Sequence, residues 1–148
     1  MKDLLRTADL SRADVDQLLD TAADFAKNPF QAKETLANRT VAIYMTKPST
    51  RTRLASETAV AHLGGTPLFL RGDDLQIGRG ETIADTARVI SGFASALVIR
   101  TFKQSDVDEL GALLGLGLRQ TAEQLLQLPV GAEELVLRQG QVVAPLDG

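Results

Sequence analysis

The run Val41-Ala42-Ile43-Tyr44-Met45 limits this chain's possible folds more than any other segment. Apolar residues without alternation read as a strand buried on both faces, the habit of a parallel sheet covered by helices. Thr40 opens the strand, and the polar, proline-containing step to Lys47-Pro48 breaks it. The segment from Ser49 to Leu63 then reads as a helix, ended by a left-handed cap and turn at Gly64-Gly65. Two further short apolar runs, Pro67–Leu70 and Ala96–Thr101, read as strands. Between them, Glu81 to Ile90 starts a helix that stops near Gly92, and Ser105 with Asp108 starts a fourth through Val107 and Leu110.

Ahead of the first strand, Ser11 caps a helix, with Asp14 at the capping-box position. Its apolar residues, Val15, Leu18, Leu19, Ala22, Ala23, Phe25 and Ala26, recur at helical spacing, and Asn28-Pro29 stops it. Strands alternating with helices predict an α/β fold. The expected architecture is a parallel sheet with helices on both faces, three layers in αβα order, in a single domain. Two parts are expected, 1–110 as the domain and 111–148 as a divergent tail that begins with the uncharged glycine- and leucine-rich run at Gly111. Within the tail, Thr121–Leu128 reads as a short helix. Glu134–Arg138 with Gln141–Ala144 reads as a hairpin.

Composition excludes several chemistries. At 148 residues the chain suffices for one core, and a formal charge of −3 offers no basic field for nucleic acid. The absence of cysteine removes disulfides, thiolate metal sites and a cysteine nucleophile. One histidine, His62, excludes any site needing two imidazoles and reads as a packing or surface residue. No spacing of His, Asp and Glu suggests a metal site. Met1 to Arg6 lacks a signal-peptide core, and no run reaches membrane-span length, so a cytoplasmic protein without membrane association is expected.

The chemistry is concentrated in Lys47-Pro48-Ser49-Thr50-Arg51-Thr52-Arg53, where strand gives way to helix. A helix start presents free N–H groups and the positive end of the helix dipole. The hydroxyls of Ser49, Thr50 and Thr52 add donors, and Arg51 can fork two phosphate oxygens. The plainer reading is a capped helix with basic residues facing solvent. Arg100 ends the third strand, and ligands of such sheets sit beyond the carboxyl ends of the strands. Ser49 and Thr52 have no neighbouring base in sequence, which leaves a covalent nucleophile unsupported.

Residues 1 to about 110 resemble the amino-terminal domain of the aspartate/ornithine carbamoyltransferase family. KPSTRTR after a strand is similar to the family's carbamoyl-phosphate motif, QIGRGETIADTARVIS to its following loop and helix, and VIRTF to its arginine-bearing strand. Lys47 before Pro48 and the loop starting at Gln76 resemble the ornithine branch. The resemblance implies that Ser49, Thr50, Arg51 and Thr52 hold the phosphate, and that Thr52 and Arg100 polarise the carbonyl oxygen. It also implies that Gln76 reaches toward an adjacent subunit's site in a homo-trimer. The implied reaction carries the carbamoyl group to the side-chain amine of ornithine, giving citrulline and phosphate, with no metal or organic cofactor. The family's His-Pro-x-Gln segment and its amino-acid-binding domain have no counterpart in these residues. An anion-binding domain that does not turn substrate over is therefore a second expectation.

Overall fold

The computed structural model describes residues 3–75 and 80–117. Gln76 and the helix and hairpin expected after Thr121 lie outside the described residues. After a single 3-10 turn at Thr7–Asp9, the elements run α1 (Arg12–Lys27), β1 (Thr40–Met45), α2 (Thr50–His62), β2 (Thr66–Arg71), α3 (Ile83–Phe93), β3 (Ala96–Arg100) and α4 (Gln104–Gly117). The sheet order is β2-β1-β3, with both pairings parallel. Met45 is in register with Arg71 on one side and Arg100 on the other, so the three strands end level.

Strand alternation divides the core. Ala42, Tyr44, Leu97 and Ile99 face Ala87 and Ile90 of α3 and Val107 and Leu110 of α4. Val41, Ile43, Met45, Ala96 and Val98 face Val60 of α2, with Leu63, Leu36 and Phe25 of α1. Helices therefore cover both faces, as the unalternating strands predict. Ile43, Leu97, Ile99 and Leu110 are almost wholly buried. Each such side chain contributes roughly 1.5–3 kcal/mol relative to exposure. β2 is an edge strand and keeps Pro67, which a central strand would not tolerate.

The helix ends follow their caps. Ser11 Oγ accepts from Asp14 N–H at 3.2 Å, and the Asp14 carboxylate accepts from Ser11 N–H at 2.9 Å, completing the expected capping box. These bonds hold the Asp14 carboxyl below its ordinary range, the side-chain bond from Ser11 contributing most. α1 meets the core through Phe25 while Leu18 and Leu19 remain exposed. α3 begins later than the expected Glu81, because Thr82 Oγ1 accepts from Asp85 N–H at 3.1 Å and sets the cap. It ends at Phe93, next to Gly92, where the helix is expected to stop. α4 begins at Gln104, placing Ser105 inside the first turn rather than at the cap, and runs past Gly111 to Gly117.

Gly64 closes α2 with φ +83°. A Cβ there would lie 1.8 Å from the carbonyl oxygen of Lys33, so both conformation and space demand glycine. Leu36 N–H donates to Leu63 O at 2.9 Å, tying the turns after α1 to the end of α2.

Candidate functional site

The level strand ends place β1's exit, α2's start and Arg100 side by side. Thr46 N–H and Lys47 N–H both donate to the carbonyl oxygen of Arg100, at 3.0 and 3.4 Å. Continuing the alternation of β3 puts Arg100 on the face of Ala96 and Val98, the face that α2 covers. The guanidinium of Arg100 and the amino end of α2 thus share one side of the sheet.

Ser49 is the N-cap of α2. Its Oγ accepts from Thr52 N–H at 3.3 Å and donates to Thr52 Oγ1 at 3.0 Å, while Arg53 N–H donates to Ser49 O at 3.1 Å. The N–H groups of Thr50 and Arg51 then have no main-chain acceptor, as expected in a first helical turn. α1, α3 and α4 each carry an aspartate in that turn (Asp14, Asp85 and Asp106), whereas α2 carries none. Its dipole is therefore not offset by a carboxylate in the first turn.

The arginines divide by what they touch. Arg53 pairs with Glu57 at 3.3 Å and lies 3.8 Å from the centre of the Phe69 ring, so the second arginine of the motif is part of the packing. Arg6, Arg12, Arg71 and Arg88 each hold an aspartate. Arg39, Arg51 and Arg100 have no carboxylate partner among the described residues, and of these Arg51 and Arg100 lie at the carboxyl ends of the strands. Arg100 Nε is moreover buried without a hydrogen-bond partner, as is Thr46 Oγ1. A buried donor left unpaired costs on the order of 1–3 kcal/mol. Thr86 Oγ1 of α3 is a third such group, and Thr46 and Arg100 are the two that lie together at the strand ends. Thr46 carried no chemical signal in the sequence beyond being the first polar residue after an apolar run.

The structure brings together Ser49, Thr50, Arg51, Thr52 and Arg100 at one end of the sheet; Gln76 lies outside the described residues. On the opposite face, Thr101 Oγ1 donates to Asp106 at 2.6 Å. Burial pushes the Tyr44 phenol up, and the Asp106 charge adds to that. His62 packs against Phe30 with ring centres 4.5 Å apart, the packing role expected of it. Among the described residues no His, Asp and Glu cluster could hold a metal, and no helix is long and apolar enough to cross a membrane.

A family model for the aspartate/ornithine carbamoyltransferase, carbamoyl-P binding domain, matches residues 2–117. The ornithine carbamoyltransferase of Bacillus subtilis (strain 168) is 48% identical over 109 residues, covering 74% of this chain and 34% of that protein. Among solved structures, the anabolic ornithine carbamoyltransferase from Campylobacter jejuni superposes with a TM-score of 0.69 at 37% identity. That match covers 76% of this chain and 36% of the other. The ornithine carbamoyltransferase from Pyrococcus furiosus gives a TM-score of 0.68 at 41% identity, covering 76% and 36%. The chain spans about a third of the length of the curated relatives it matches (34%). With the motif, the level strand ends and the sheet all in agreement, the chain belongs to the aspartate/ornithine carbamoyltransferase family and carries its carbamoyl-P binding domain.

Proposed function

We propose that this domain binds carbamoyl phosphate and serves carbamoyl transfer to the side-chain amine of ornithine, yielding citrulline and phosphate. The observation that carries the reading is the pair Arg51 and Arg100. Both are guanidinium groups without a described carboxylate, on the side of the sheet where α2 begins. Arg51 and the N–H groups of Thr50 and Arg51 take the phosphate oxygens, and Thr52 and Arg100 take the carbonyl oxygen. The neutral amine attacks the carbamoyl carbon, the bond from that carbon to the bridging oxygen breaks, and phosphate departs with its electron pair and takes up the proton that the attacking nitrogen loses. Catalysis then comes from positioning and from stabilising the oxyanion and the leaving phosphate. Gln76, by its place in the family's loop, joins the phosphate site of a neighbouring subunit in a homo-trimer, and the assembly works in the cytoplasm.

A second reading is carbamoyl-phosphate binding without turnover. It is favoured by the site itself, since its described residues are all assigned to the phosphate and the carbonyl oxygen and none to the amine. Titration calorimetry with carbamoyl phosphate, using Arg51→Ala as control, tests the site. Heat from the wild type alone is expected, and no heat from either removes both readings. A citrulline assay with ornithine then separates them: binding without product leaves the second.

A further inference from the structure

Lys47 is half-buried at the carboxyl end of β1. It has no carboxylate partner among the described residues. Its Nζ lies 5.7 Å from the centre of the Phe102 ring. Phe102 follows Arg100 by two residues and is 68% exposed. The two residues meet because Lys47 N–H donates to Arg100 O at 3.4 Å, which pins the start of the KPSTRTR turn to the end of β3. The face of an aromatic ring attracts an ammonium group within about 6 Å. Phe102 therefore restricts a long, flexible cation at the joint between the exits of β1 and β3, two residues ahead of the Ser49 cap of α2.

We propose that Phe102 is a positioning residue that holds the Lys47 ammonium at the anion site, making Lys47 a further phosphate-binding group. The inference rests on the carbamoyl-phosphate reading and adds two residues to it. Lys47 supplies a third positive charge beside Arg51 and Arg100. Phe102 reduces the rotamer freedom that Lys47 must lose when an anion arrives.

The test titrates the full chain with carbamoyl phosphate and, separately, with inorganic phosphate. It compares wild type, Phe102→Leu, Phe102→Trp, Lys47→Met and the double variant Lys47→Met/Phe102→Leu. Phe102→Leu is expected to weaken binding ~3-fold, and Phe102→Trp to retain it. Lys47→Met is expected to weaken binding more, with no further loss in the double variant. Because Phe102 is largely exposed, the thermal midpoint should stay constant throughout. Equal losses from Phe102→Leu with and without Lys47, or wild-type affinity in Phe102→Leu, overturn the inference while leaving the site intact. If the wild type binds neither ligand, the carbamoyl-phosphate reading fails first and the inference falls with it.

Discussion

The main-chain N–H of Thr46 donates to the carbonyl oxygen of Arg100 at 3.0 Å, joining the exit of β1 to the end of β3 through backbone alone. The Arg100 side chain takes no part in that joint, and its Nε is buried without a partner. Binding and stability should therefore separate at this position. Arg100→Met is expected to weaken carbamoyl-phosphate binding ~10–100-fold, with a melting temperature equal to or above wild type because an unpaired buried donor is removed. Arg51→Ala, at an exposed residue, should lose affinity similarly and change stability by no more than about 0.5 kcal/mol. Calorimetry paired with thermal unfolding reads both, and a large fall in midpoint for either variant would contradict the assignment.

Two serines cap two helices, and only one cap lies at the site. Ser11→Ala and Ser49→Ala should each destabilise the fold by about 1 kcal/mol, measured by denaturant unfolding. Ser49→Ala should also weaken anion binding, since it frees Thr52 Oγ1 and the first turn of α2. Ser11→Ala should leave binding unchanged; a matched loss of affinity would mean that stability, not the site, governs binding.

Gly64 has φ +83° and a would-be Cβ 1.8 Å from Lys33 O. Gly64→Ala is expected to cost roughly 2 kcal/mol or more, as strain and a backbone clash act together. Retention of the wild-type unfolding midpoint would show that the turns after α1 yield easily at Lys33.

Tyr44 is the chain's only tyrosine, so its titration can be followed directly by ultraviolet absorbance. Burial, and secondarily the Asp106 charge, raise its pKa. The folded state then keeps a proton that the unfolded state releases. Stability is constant below the ordinary tyrosine range and declines as pH rises from that range toward the raised folded value. The absorbance midpoint should lie above that of free tyrosine, and Asp106→Asn should lower it without restoring the free value. A midpoint unmoved by Asp106→Asn would leave burial as the sole cause.

The strands were legible because β1 is buried on both faces and so shows no alternation to confuse with a helix. Ser11 and Ser49 were legible as caps because their partners lie only three residues away. Ser105 misled for the same reason. A Ser-x-x-Asp pattern was present, but Asp108 is taken by Arg6 and by the Gln104 side chain, which donates to it at 3.1 Å, and α4 starts at Gln104. Periodicity identified α1 but not that Leu18 and Leu19 would stay exposed, because coverage depends on tertiary neighbours. At the site, the sequence reading assigns the phosphate to Arg51 and gives Arg53 no role. Only the fold shows Arg53 committed to Glu57 and Phe69. The contact of Lys47 with Phe102 joins two strand ends distant in sequence, and no local pattern announces it.

Pro67 has a consequence for self-association. Thr66 N–H donates to Arg39 O and Gly72 N–H to Met45 O, so the even-numbered residues of β2 direct their amides toward β1 and the odd-numbered ones outward. Pro67 has no N–H, and the outward N–H of Arg71 donates to the Asp74 carboxylate at 3.2 Å. Among the described residues, Phe69 alone offers a foreign strand a donor along that rim. Templated fibril growth needs an unbroken row of donors, and this border of the sheet interrupts the row at both ends.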